Sequence, residues 1–220
     1  MEFRSKPKKP DIICFGDSLT VGYQSPTADN PEYRETPYGD YLQYQLGQNH
    51  WVVISGLNGE LTTGMVNRFR RDVLEHLPRY VIILGGSNDL GWNRTPSDIF
   101  TNLAMMYDQA QAGGITPIAV TVPSFRPLQL PDFSEASELP RSNRAEWQMI
   151  HSHIERRLEL NGRIQEYCVS KKIPCVDLFS ETAEADSKLL ALSYSNDGLH
   201  LSTAGYKLLA DLLWNNVFQG

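Results

Sequence analysis

A serine, a histidine and an aspartate can together break an acyl bond, and this chain places such a set in readable surroundings. Ser18 stands in the run Gly16-Asp17-Ser18-Leu19-Thr20. A serine hydroxyl is a weak nucleophile by itself and needs a base to take its proton. His200 is the candidate base. Asp197 lies three residues before it, so its carboxylate can reach Nδ1 and fix the tautomer that leaves Nε2 free for Ser18. A tetrahedral intermediate would then need donors for its oxyanion. The backbone N–H groups of Ser18 and Gly59, with the side-chain amide of Asn88, can supply them. Glycine suits position 59 because a side chain would obstruct close approach of backbone and substrate.

These residues need a scaffold that brings them together from distant parts of the chain. Five apolar runs read as strands: 11–15, 51–55, 80–84, 115–122 and 173–179. They are nearly continuously apolar rather than alternating, which marks strands covered on both faces, as in a parallel sheet. Helical patterns lie between them. Residues 38–46 form one. Residues 62–77 place Met65, Phe69, Val73 and Leu77 at four-residue spacing. Residues 96–112 start with Thr95 at the cap and proline at the first position, and carry the stripe Ile99, Leu103, Met106 and Ala110. A longer helix toward Lys172 carries Ile150, Ile154, Leu158, Ile164 and Cys168. The last, 202–216, turns Leu208, Leu209, Leu212 and Leu213 inward. This alternation predicts an α/β sandwich with right-handed crossovers. In such a sheet ligands bind beyond the carboxyl ends of the strands. The groups at 16–20, 58–64, 85–89 and 197–200 all fall there.

Composition narrows the classes. The chain has 220 residues, 41% of them hydrophobic, and a net charge of −6. The apolar fraction excludes a disordered chain. The acidic balance, with no long basic face, argues against charge-driven nucleic-acid binding. Three cysteines without a C-x-x-C pair do not make a disulfide framework or a zinc knuckle. His151 and His153 point about 200° apart on a helix, so they do not converge on one metal. The H-E-x-x-H motif is absent. No apolar run reaches ~18 residues and residues 1–10 contain no apolar h-region, so the expected setting is cytosolic, without integral membrane association. One domain is expected, with a flexible lead-in at 1–10. The stretches 19–37 and 123–141 read as long loops, and the second, with four prolines, is expected to lid the site.

The four groups resemble the sequence blocks of the SGNH (GDSL) hydrolase family. Block I matches as Gly16-Asp17-Ser18-Leu19-Thr20 and block II at Gly59, with Gly56 and Gly64 as the alternative glycines. Block III matches as Gly86-x-Asn88-Asp89 and block V as Asp197-x-x-His200. Arg157-x-x-Leu160-Asn161-x-x-Ile164 also resembles a helix pattern of the family. The resemblance implies a flavodoxin-like three-layer α/β/α sandwich on a five-stranded parallel sheet. It implies esterase activity on a small-molecule ester, through an acyl-serine, without metal or organic cofactor. Ser18, Asp197 and His200 would be catalytic. Ser18, Gly59 and Asn88 would form the oxyanion hole. Asp17 and Asp89 would be structural. Leu19 and Trp92 are expected to line the acyl or alcohol pocket. An acyltransferase, thioesterase or lysophospholipase would use the same machinery. A non-enzymatic flavodoxin-like binding module is the alternative from another class, but the chain has neither P-loop nor G-x-G-x-x-G. It has no G-x-S-x-G either, which disfavours an α/β-hydrolase.

Overall fold

The computed structural model describes residues 9–28, 30–127 and 141–219, and for 141–146 the backbone only. The strands are β1 (Ile12–Gly16), β2 (Tyr23–Gln24), β3 (Arg34–Glu35), β4 (Val52–Gly56), β5 (Tyr80–Leu84), β6 (Thr116–Val120) and β7 (Cys175–Val176). The helices are α1 (Ser18–Val21), α2 (Tyr38–Leu46), α3 (Thr62–Asp72), α4 (Ser87–Gly91), α5 (Pro96–Ala112), α6 (Arg141–Lys171), α7 (Leu178–Thr182) and α8 (Thr203–Leu213). Five strands pair in parallel in the order β4-β1-β5-β6-β7. Counted along the sheet's own strands this is 2-1-3-4-5, the flavodoxin-like order. The apolar strand runs therefore produce the expected sheet.

Alternate strand residues leave the sheet on opposite faces. Ile13, Phe15, Val81, Ile83 and Ala119 pack against α3, α5 and α6 through Met65, Phe69, Leu103, Met106 and Ile164. Ile12, Cys14, Ile82, Leu84 and Ile118 pack the other way, against Leu42, Tyr206 and Leu209. Two apolar layers thus sandwich the sheet between helices. Each large side chain buried this way is worth roughly 1.5–3 kcal/mol relative to exposure.

Some boundaries depart from expectation. The last strand is two residues long, not 173–179. Asp177 caps α7 through the Ser180 N–H, and Thr121 both donates to Asp177 (2.9 Å) and accepts from the Phe179 N–H (2.9 Å). That local polar cluster bends the chain out of the sheet. Leu77 is exposed because the helix ends at Asp72 and a short 3-10 turn follows. On α6 the inward face runs through Arg157, Leu160 and Asn161, and Leu158 points to solvent. The segment 19–37 is not only loop: β2 and β3 pair antiparallel within it.

Asn161 explains why a polar residue sits on that buried face. Its Oδ1 accepts from the Val122 N–H (2.8 Å) and its Nδ2 donates to the Val122 carbonyl (2.9 Å). The side chain thus stands in for a neighbouring strand just past β6. Asn161→Ala leaves two buried backbone groups unpaired and is expected to cost roughly 2–4 kcal/mol. Urea unfolding is the check; a change below ~0.5 kcal/mol would contradict this pairing role.

Candidate active site

The sheet order reverses between β1 and β5, and the loops leaving those strands part to form a crevice. Ser18 follows β1 and Asn88 follows β5, so both stand at that crevice. Asp17 caps α1, its Oδ1 accepting the Leu19 N–H at 2.9 Å. Ser18 is the first residue of that helical turn, and its N–H has no intrahelical acceptor.

His200 reaches Ser18 from the other end of the chain. Its Nε2 lies 3.1 Å from Ser18 Oγ, and its Nδ1 lies 2.7 Å from Asp197 Oδ2. An ionised carboxylate accepts only, so Nδ1 carries the proton and Nε2 is left to accept from the serine hydroxyl. Asp197 Oδ1 also accepts the N–H groups of Leu199 (2.8 Å) and His200 (2.7 Å). Burial alone would raise the Asp197 carboxyl, but the bonds from His200, Ser25 and these two N–H groups outweigh it. They hold it well below the usual carboxylate range. Gly198 takes φ +76°, and a Cβ there would lie 1.8 Å from the Arg126 carbonyl oxygen. The Arg126 N–H in turn donates to Gly198 (2.7 Å). Only glycine lets the 123–127 segment lie this close to the histidine loop.

The other candidate donors lie on the 57–60 turn and on α4. Gly59 is the third residue of a turn closed by the Glu60 N–H on the Leu57 carbonyl (3.3 Å), with φ +73°. That conformation is what glycine supplies. The expected reason for glycine changes accordingly: a Cβ at 59 meets nothing within 4 Å, so the backbone, not crowding, selects it. Asn88 Nδ2 donates to the Glu60 carbonyl (3.0 Å), which ties α4 to this turn. Its second contact, to Asp17 Oδ2, is 3.4 Å and therefore weak. Of the alternative glycines, Gly56 is packed against the α1 backbone and Gly64 lies within α3 beside Glu60. The Gly59 turn is the one joined to Asn88.

Leu19 and Trp92, the expected pocket residues, differ in exposure. Leu19 is 2% exposed and packs into the core with Cys14, Tyr38 and Leu42. Asp17 holds its N–H and turns its side chain under the sheet. Trp92 is 75% exposed, standing in solvent beyond α4. The lid assignment for 123–141 rests largely on 128–140, which lie outside the described residues, as do 1–8 of the expected lead-in. His151 faces Glu155 and His153 packs edge-on against Phe125, so the two histidines do take different directions.

Three residues went unread in the sequence. Arg68 spans the site's foundations, bonding Glu60, Asp72, the Ser55 hydroxyl and the Gly16 carbonyl while stacking over Phe15. Its signal was a charge beside the apolar stripe of α3. Ser25 and Tyr23, both against the Asp197–His200 segment, had no local signal. Asp89 does hold structure: it accepts the Thr62 N–H (2.9 Å) and hydroxyl (2.7 Å), capping α3 from α4.

Asp17 is fully enclosed, and burial pushes its carboxyl from 3.8 up to about 7, against the opposing Leu19 N–H bond and the charge on His200. A raised folded-state value means the native state holds a proton that the unfolded chain has lost. The stabilisation relative to Asp17→Asn is then full below about pH 4 and lost as pH rises through about 7. Denaturation of both proteins across this window tests it. A stability difference flat with pH would contradict the shift.

Residues 14–208 match the GDSL-like lipase/acylhydrolase family. The chain belongs to that family. An uncharacterised lipoprotein of Bacillus subtilis is 26% identical over 193 residues, covering 80% of this chain and 73% of that protein. A lipase/acylhydrolase structure from Enterococcus faecalis superposes with TM-score 0.67 at 25% identity, covering 94% of this chain and 95% of the other. A GDSL-like lipase from Bacteroides thetaiotaomicron gives TM-score 0.69 at 23% identity, covering 93% and 85%. The protein is thus a GDSL-family hydrolase of ester bonds, which removes the non-enzymatic binding module. Among the described residues no helix is long and apolar enough to cross a membrane.

Proposed function

We propose that the protein cleaves carboxylic esters with small acyl groups through an acyl-Ser18 intermediate. The observation that carries this reading is the unbroken hydrogen-bond chain Ser18–His200–Asp197 at the crevice of the sheet. Ser18 Oγ attacks the ester carbonyl carbon while His200 Nε2 takes the hydroxyl proton. Asp197 orients the ring and stabilises the imidazolium. The N–H groups of Ser18 and Gly59 and the second N–H of Asn88 receive the oxyanion. The C–O bond to the alcohol breaks as His200 returns the proton to it. Water, deprotonated by His200, then attacks the acyl-serine and releases the acid.

A small acyl group is supported by what lies beneath the nucleophile. Leu19 fills the space toward the core, and the Asp17–Asn88–Glu60–Arg68 bonds fill the floor beside it. An acyltransferase would follow the same first half and differ only in the acceptor. A cytosolic setting is part of this reading; recovery of the native protein in a membrane or secreted fraction would contradict it. A panel of p-nitrophenyl esters from acetate to palmitate, with sugar acetates and acyl-CoA, tests substrate class. The proposal expects kcat/KM to fall with acyl length. A maximum at long chains would overturn the small-acyl assignment.

A further inference from the structure

The short hairpin of β2 and β3 touches the 196–203 segment, which carries Asp197 and His200, with three successive residues. The Tyr23 ring packs on the His200 imidazole, centroids 4.6 Å apart. Gln24 is buried; its Nε2 donates to the Thr203 hydroxyl (2.9 Å) and its Oε1 accepts the Thr203 N–H (3.1 Å). Ser25 Oγ donates to Asp197 Oδ2 at 2.5 Å. The hairpin is anchored on both sides: Gln24 Nε2 also donates to the Thr36 hydroxyl (2.6 Å), and the Tyr206 hydroxyl donates to the Tyr23 carbonyl (2.8 Å).

The Ser25 contact falls on the oxygen that faces His200 Nδ1. Asp197 Oδ2 therefore accepts two bonds, one from the imidazole and one from a fixed hydroxyl. Asp197 Oδ1 is already held by the Leu199 and His200 N–H groups, so Oδ2 is the oxygen that the Ser25 hydroxyl fixes. The Ser25 bond completes the hold on the carboxylate at Oδ2 and draws part of its charge away from the ring. We infer that Ser25 is a positioning residue that extends the chain to Ser18–His200–Asp197–Ser25, delivered by the hairpin. This rests on the triad reading above.

Removing the hydroxyl leaves more negative charge on Oδ2 against Nδ1. The imidazolium is then favoured over the neutral ring. The base must be neutral to act, so the acid limb of kcat/KM moves up. The other titratable or charged groups around the pair are Asp17 beside Ser18, Tyr23 on the hairpin and Tyr206 on α8. Arg126 packs its backbone on Gly198, but its guanidinium is turned to Glu184. All are common to wild type and variant, so the difference between the two profiles isolates Ser25.

The test measures kcat and KM for p-nitrophenyl acetate in Ser25→Ala, Ser25→Thr, Ser25→Cys and Ser18→Ala from about pH 5 to 9. Ser25→Ala is expected to lower kcat ~10-fold with KM within about twofold. Its acid limb is expected to rise by ~0.5 unit. Ser25→Thr restores both toward wild type, and Ser25→Cys, a weaker donor, falls between. A wild-type kcat and limb in Ser25→Ala would overturn the inference. So would a loss without a shifted limb, or one that Ser25→Thr does not restore, since each assigns Ser25 a purely structural role. Ser18→Ala separates the two levels. If it stays active, the triad reading fails; if it is inactive while Ser25→Ala behaves as wild type, only this inference fails.

Discussion

Ser18→Ala is expected to lower kcat for p-nitrophenyl acetate by ~10⁴-fold or more, with the fold intact. Without Oγ no acyl-enzyme forms, and the donors around Gly59 and Asn88 can only assist direct attack by water. The variant should unfold at nearly the wild-type temperature, because the hydroxyl's bond to His200 lies at the crevice rather than within the apolar layers. His200→Ala is expected to cost a similar factor. The double variant should be little worse than either single one, since nucleophile and base act as a unit. Steady-state kinetics beside a thermal melt check all of this. Retention of even a few per cent of wild-type turnover in Ser18→Ala would remove Ser18 from its role.

The largest expected effect on stability belongs to Arg68→Ala. Arg68 is 6% exposed and its guanidinium bonds Glu60 (2.7 Å), Asp72 (3.0 Å) and the Gly16 carbonyl (2.9 Å). Removing it leaves the partly buried Glu60 carboxylate and a β1 carbonyl without their partner and strips a cation from the face of Phe15. Loss of one partner from a buried pair typically costs ~3–5 kcal/mol, and here it would lower Tm by roughly 10 °C. Arg68→Met should cost less, since its stem still packs on Phe15, but it leaves the same carboxylate unpaired. Pairing it with Glu60→Gln should recover part of the loss. Activity should fall as well, because Glu60 follows the Gly59 turn and its carbonyl holds Asn88. Urea unfolding provides the number. A destabilisation under ~1 kcal/mol would mean that water replaces the guanidinium and that Arg68 does not hold the site together.

What could be read from the sequence divides along physical lines. Signals that depend on neighbours in the chain survived. The helices at 38–46 and 96–112 and the strand at 80–84 have the expected bounds, and at 96–112 the Thr95 cap and the apolar stripe agree. Ser18, Asn88, Asp197 and His200 were legible because each stands just past an apolar run or in a turn motif, and the parallel sheet brings such positions to one edge. Signals that depend on partners far along the chain were lost. The strand at 173–179 was overestimated because the Thr121 hydroxyl, 56 residues before Asp177, helps to turn that segment out. Leu158 looked like core because the real inward residues, Arg157 and Asn161, are polar and are satisfied by the segment after β6. Trp92 and Leu19 were assigned by adjacency, which does not say which way a side chain points. Nothing in the residues beside Ser25 announces a partner 172 positions away, and Arg68 shows in the sequence only as a charge beside the α3 stripe, without its partner 52 positions away.

The central claim is that Ser18 carries the acyl group. Brief exposure to a fluorophosphonate, followed by intact mass and peptide mapping, tests it most directly. The account predicts one adduct per chain, on the peptide containing Ser18, with turnover lost in proportion. The adduct should be missing from Ser18→Ala and form far more slowly in His200→Ala. An adduct on another residue, or full activity in a protein labelled at Ser18, would contradict it.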